Sequence, residues 1–157
     1  MKNKLFELIK KNGIENLDKT LLNPEAMILI GPAILNLLEN NIIDVDAVGG
    51  LAIEASPIVT AVSVSSSHLH RKLIHGFLIR GEIKYHGTGK IIEGYNKDEA
   101  NVVLVAPIKN KDLERQVKII RQNNMNVVII VSIISDKFDD DILDIPTMHL
   151  FTMEEFE

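Results

Sequence analysis

The chain has 157 residues, 46% hydrophobic and 25% charged, with 17 basic and 22 acidic side chains and a net charge of −5. That length suits one domain with a sizeable core and that hydrophobic share excludes a disordered chain, while the acidic balance argues against a nucleic-acid partner. Cysteine is absent, which excludes disulfides and thiolate sites, and no run reaches the ~20 apolar residues that span a bilayer, so a cytoplasmic protein with no membrane partner is expected.

Leu5, Leu8 and Ile9 at helical spacing, with lysines opposite, predict a helix from about Lys2 to Lys11. Asn12-Gly13 is expected to end it as a left-handed C-cap, and residues 16–23 read as a connector. Asn23-Pro24-Glu25 is an N-cap followed by proline, and opens a second helix with Met27, Ile30, Ile34, Leu37 and Leu38 on one face. Gly31-Pro32 is expected to interrupt and kink that helix, which ends near Asn40-Asn41. Asp44 to Val48 reads as a short strand stopped by Gly49-Gly50. Paired glycines there allow either close backbone approach to a ligand or simply a tight turn. Ser56-Pro57 starts a helix running to about Ser65, which gives half a βαβ unit.

His68, His70 and His75 lack metal-ligand spacing and read as surface or packing residues, and the run Ser63, Ser65, Ser66 and Ser67 lacks a nucleophile elbow. Leu73 to Ile79 is the second strand. It leads into Arg80, Gly81, Glu82, Lys84, His86, Gly87, Thr88, Gly89 and Lys90, and Ile91-Ile92 leads out towards Glu93-Gly94. Cations interleaved with glycine suit a loop that closes over a phosphate-rich anion; a solvated hairpin tip has the same composition.

Asn101 to Ala106 is a continuous apolar strand of the kind found at a sheet centre. Asn110 can cap a helix that carries Asp112 and Glu114 in its first turn and Leu113, Val117 and Ile120 on its buried stripe, ending at Asn123-Asn124. Val127 to Ile134 is the longest buried-type strand. Residues 136–144 are acidic and turn-like, with Asp139, Asp140 and Asp141 read as solvated charge, and Thr147 to Phe151 adds a last strand. Alternating strands and helices predict an α/β fold with a mainly parallel central sheet flanked by helices. The expected organisation is a single domain over 1–157, with an N-terminal helical part (1–43), a core (44–136) and a C-terminal extension (137–157). Ligands in such folds sit at the carboxyl ends of the strands, where Gly49-Gly50, the loop after Ile79 and Pro107 to Lys111 are expected to converge. Lys109, Asn110 and Lys111, beside a helix N-terminus, suit a phosphate.

Several of these stretches, taken together, resemble the orotate phosphoribosyltransferases, which are type I phosphoribosyltransferases. Arg80-x-Glu82-x-Lys84-x-His86-Gly87-Thr88-Gly89-Lys90-x-Ile92-Glu93-Gly94 is similar to the family's mobile catalytic loop. Val48-Gly49-Gly50-Leu51 with Ser56-Pro57-Ile58 is similar to its glycine turn and following helix, and Asn23-Pro24-Glu25 to its N-terminal helix. The resemblance implies the type I phosphoribosyltransferase fold with a hairpin lid loop, and chemistry on phosphoribosyl pyrophosphate (PRPP) with Mg²⁺ accompanying a pyrophosphate ligand. It implies that Lys84 and His86 contact the pyrophosphate, that Arg80 reaches one across a homodimer interface, and that Gly49 and Gly50 let the backbone approach it.

The chain departs from the family where PRPP is held. Ala106-Pro107 replaces the acidic pair that follows the central strand, and Asn110-Lys111-Asp112 replaces the Thr-Thr-Gly cradle. Gly81 replaces a second lysine, and Leu17-Asp18-Lys19-Thr20 keeps an Asp but lacks the Tyr and Arg that help hold orotate. The expectation is therefore a protein that binds a phosphorylated ligand or nucleotide (PRPP, a nucleotide or phosphate) with reduced or no transferase activity. An active phosphoribosyltransferase for orotate or another base, in pyrimidine nucleotide synthesis, and a structural partner of an active paralogue are the alternatives.

Overall fold

Valine and isoleucine dominate two long central strands, and their pairing sets the architecture seen in a computed structural model, which describes residues 2–69, 71–81, 90–136 and 140–157. In chain order the elements are α1 (Lys2–Asn12), a 3-10 turn (Ile14–Asn16), α2 (Leu17–Leu21), α3 (Pro24–Asn40), β1 (Ala47–Leu51) and α4 (Ser56–His68). Then come β2 (His75–Ile79), β3 (Ile92–Gly94), β4 (Asn101–Ile108), α5 (Asp112–Gln122), β5 (Asn126–Ser135), β6 (Thr147–Thr152) and a closing 3-10 turn (Met153–Phe156). The six strands form one sheet in the order β3-β2-β1-β4-β5-β6. Every neighbouring pair is parallel except β2 with β3, so the expected mainly parallel sheet flanked by helices is what forms.

Alternation along the strands divides the core in two. Val48, Val103, Val105, Ile129, Val131 and Ile133 point to a cluster with α1 to α4. Phe77, Ile79, Val102, Leu104, Ala106 and Ile130 point to a second cluster, where α5 supplies Leu113, Val117 and Ile120. The C-terminus is held by aromatic contacts, with the Phe6 and Phe156 rings stacked at 4.7 Å.

Several local expectations change. The segment 16–23 is not a plain connector: it closes the 3-10 turn and forms α2, with Leu17, Thr20 and Leu21 all buried. Gly13 has φ 85° but ψ 147°, so it is extended at positive φ and not a left-handed cap. Helix α3 runs unbroken through Gly31-Pro32. Gly31 serves interhelical packing, since a Cβ there would meet the Ser65 hydroxyl and the Ala61 carbonyl of α4. Asn23 caps α3 as expected, accepting the Glu25 N–H at 2.8 Å. In α4, Ser56 makes no side-chain cap, Pro57 lies in the first turn, and the helix continues to His68.

The largest shift is at β1. It spans Ala47–Leu51, so Gly49 and Gly50 lie inside the strand and do not stop it. Parallel pairing with β2 carries it on to Leu51 opposite Ile79. Strand β2 begins at His75, whose ring stacks on Tyr95 at 4.9 Å. Strand β4 extends through Pro107 to Ile108, two residues past the expected end. Pro107 is tolerated there because β1 pairs with β4 only as far as Leu104. No single helix among the described residues is long and apolar enough to cross a membrane.

Candidate functional site

Because β1, β2, β4 and β5 run parallel, their carboxyl ends lie along one edge of the sheet. Residues 52–55 leave β1 there, Arg80 leaves β2, Lys109 to Lys111 leave β4 and Asp136 leaves β5. The turn after β1 is anchored by the Ala52 N–H donating to the Ile79 carbonyl at 2.9 Å, and the exit of β4 by the Lys109 N–H donating to the Ile134 carbonyl at 3.0 Å.

Gly49 and Gly50 are explained first by packing. The Phe77 ring of β2 fills the place a Gly49 Cβ would take. On the other side of the strand, a Gly50 Cβ would come 2.5 Å from the Ala55 Cβ and 2.8 Å from the Val105 carbonyl.

Arg80 is engaged within its own chain. Its guanidinium pairs with the Glu93 carboxylate at 3.0 Å across the antiparallel β2–β3 pair, and its N–H donates to the Ile91 carbonyl at 2.8 Å. Lys90 is exposed. Glu82, Lys84, His86, Gly87, Thr88 and Gly89 lie outside the described residues, as do His70 and Asp139.

At the end of β4 the three expected phosphate contacts separate. Lys109 turns to the β5–β6 connection, donating to the Asp140 carbonyl at 3.1 Å and the Thr147 hydroxyl at 3.4 Å. Asn110 folds back on the chain, with its amide donating to the Ile108 carbonyl and its carbonyl oxygen accepting the Asp112 N–H, both at 2.9 Å. Lys111 is exposed. Together with Glu114, Asp136 and Ile142 these residues line an open cleft of about 400 Å³.

The first turn of α5 already carries a negative charge. The Asp112 carboxylate accepts from Arg115 at 2.7 and 3.0 Å and from Gln116 at 3.0 Å. The Arg115 guanidinium, and then the Gln116 amide, hold its pKa below the ordinary carboxylate value. A carboxylate at a helix N-terminus satisfies the positive end of the helix dipole that a phosphate would otherwise use.

Glu54, in the turn after β1, behaves oppositely. Loss of hydration, and then the charge of Asp112, push its carboxyl upward. The two carboxylates therefore repel each other between the β1 turn and the start of α5. Neither Glu54 nor Gln116 was singled out from the sequence. The i,i+3 spacing of Asp112 and Arg115 was a visible signal, whereas Glu54 had none.

A second cleft, of about 300 Å³, opens beside the same turn between α2, the start of α3 and the first turns of α4. Among the described residues no group of three or more His, Asp or Glu is arranged to hold a metal ion. At the end of β4, Ala106 and Pro107 offer no side-chain oxygen, and the Asp112 carboxylate is bound to Arg115 and Gln116.

No family model matches the chain. It is 45% identical over 84 residues to the orotate phosphoribosyltransferase of Nostoc sp., covering 54% of this chain and 39% of that one. The solved structure of a phosphoribosyltransferase from Corynebacterium diphtheriae superposes with a TM-score of 0.84 at 26% identity, covering 99% of this chain and 97% of the other. That of Mycobacterium tuberculosis orotate phosphoribosyltransferase in complex with PRPP superposes with a TM-score of 0.82 at 19% identity, covering 99% and 91%. The chain spans 39% to 62% of the length of the first few curated relatives it matches.

Proposed function

From the premise that the chain is an orotate phosphoribosyltransferase-like protein with the type I phosphoribosyltransferase fold, we propose that it transfers the phosphoribosyl group of PRPP to a nitrogenous base, releasing pyrophosphate. The observation that carries this reading is the 45% identity over 84 residues to an orotate phosphoribosyltransferase, on a sheet whose carboxyl edge gathers the exits of β1, β2 and β4.

In this reading Lys84 and His86 contact the pyrophosphate, where fixed cations stabilise charge that grows as the bond to ribose breaks. Glu82, Gly87, Thr88, Gly89 and Lys90 complete the loop around it. The turn after Gly49-Gly50 brings backbone to the pyrophosphate, and Lys109, Asn110 and Lys111 line the neighbouring cleft. Mg²⁺ enters as the counter-ion of the pyrophosphate, not as a resident of the protein. The working form is a homodimer in which Arg80 leaves Glu93 to reach the partner's ligand.

A second reading, binding of a phosphorylated ligand without transfer, is favoured by one specific observation. Asn110 and Asp112 occupy the α5 N-terminus with the chain's own oxygens, and Ala106-Pro107 offers no acid to hold ribose hydroxyls.

The test is pyrophosphate release from PRPP and Mg²⁺ with a panel of bases. Turnover that disappears in Lys84→Ala supports transfer. Absence of turnover, with a PRPP-dependent rise in the thermal midpoint, replaces it by the second reading. Sedimentation as a strict monomer would remove the role given to Arg80.

A further inference from the structure

The 300 Å³ cleft beside the β1 turn has a chemistry that the phosphate side of the site lacks. Its walls are apolar: Leu21, Leu22, Met27, Ile53 and Pro57 face it. Leu22 and Ile53 are 65% and 85% exposed, so this apolar surface is left uncovered by the chain's own packing. A cleft of this size with apolar walls and a few polar groups suits a small planar ring.

Its charged groups share one sign. Among the described residues, Asp18 from α2 and Glu54 from the β1 turn are the ionisable side chains lining it, and none of those residues is a lysine, arginine or histidine. Ser56 and Thr60 add hydroxyls, but the Thr60 hydroxyl donates to the Ser56 carbonyl at 2.9 Å. Carboxylates accept hydrogen bonds and repel anions. The ionised form of Glu54 is already disfavoured, first by local loss of hydration and then by the charge of Asp112. A ligand bearing its own carboxylate, such as orotate, would add a third negative charge beside Asp18 and Glu54. A ring presenting amino or protonated ring N–H groups would instead give both carboxylates donors.

We propose that this cleft takes an uncharged or cationic planar heterocycle bearing an amino group, held between the apolar walls with its N–H donors on Asp18 and Glu54, and that it disfavours a ring carboxylate. This rests on the proposed transfer site only for the role of the ring as acceptor base.

The test is direct binding, by calorimetry or ligand-observed NMR, of cytosine, adenine and orotate to the full chain, alone and with PRPP and Mg²⁺. Amino-bearing rings should bind at least about tenfold tighter than orotate, the scale of one hydrogen bond to a charged group. Glu54→Gln and Asp18→Asn, with folding checked by circular dichroism, should narrow that preference. Orotate binding as tightly as the amino rings, no ring binding under either condition, or an unchanged preference in both variants overturns the proposal. Absence of pyrophosphate release leaves it standing, because binding is read separately. Turnover with orotate as the best acceptor sinks it while supporting transfer.

Discussion

The side-chain oxygen of Asn110 accepts the backbone N–H of Asp112 at 2.9 Å, and that bond closes a turn leading into α5, whose N-cap residue Lys111 makes no side-chain cap. The consequence is local and testable. Asn110→Ala should lower stability by about 1 kcal/mol, the usual net worth of one such hydrogen bond, and Asn110→Asp should retain most of it. Urea unfolding of the two variants beside the parent checks this. An Asn110→Ala variant as stable as the parent would show that the bond contributes nothing.

Gly49→Ala should be costly despite its small size. The new methyl falls where the Phe77 ring of the paired strand β2 lies. Overpacking of this kind costs about 1–3 kcal/mol. Adding Phe77→Leu should recover part of the loss, and a double-mutant cycle by thermal unfolding measures the coupling. Additive losses would rule out the contact as the cause.

Asp46 should make stability depend on acid. It accepts the Asn101 N–H at 2.9 Å and the Lys72 ammonium at 3.2 Å, and the Asn101 N–H, followed by Lys72, holds its pKa below the ordinary value of 3.8. A carboxylate whose folded pKa is depressed adds stability above its unfolded pKa, and that stability is lost as pH falls through the folded value. Asp46→Asn should therefore be less stable than the parent at pH 7, and the gap should begin to narrow below about pH 4 and close only below the depressed folded pKa. Denaturation midpoints at several pH values decide it.

Glu54 has the opposite sign. Its folded pKa lies above the ordinary 4.5, so its ionisation weakens the fold as pH rises through the window above that value. Glu54→Gln should raise the thermal midpoint at pH 7 and leave it unchanged at pH values where the parent is fully protonated. A variant less stable at both would show that Glu54 makes a structural contact instead.

Much of the layout was legible in the chain. Apolar runs such as Val102 to Val105 and Val127 to Ile134 can only be buried strands, and the spacing of Leu113, Val117 and Ile120 can only serve one helix face. Asn23-Pro24 marked the start of α3 because capping is settled within a few residues. The errors came where partners distant in sequence decide. The glycines of β1 look like a strand end until Phe77 and Ala55 are brought against them, and Gly31-Pro32 looks like a break until α4 packs on it.

The same division runs through the candidate site. The sequence by itself determined which residues can carry charge, that strands alternate with helices, and that the exits of β1, β2 and β4 meet at one sheet edge, because parallel pairing leaves no other arrangement. Only the tertiary structure decided what those residues do there. Lys109 turns to Asp140 and Thr147, Asn110 and Asp112 close the first turn of α5, and Arg80 pairs with Glu93. Each is a choice of hydrogen-bond or ion-pair partner; those of Lys109 and Arg80 join segments far apart in sequence and are set by the distances that folding creates, whereas the bonds at the start of α5 are local.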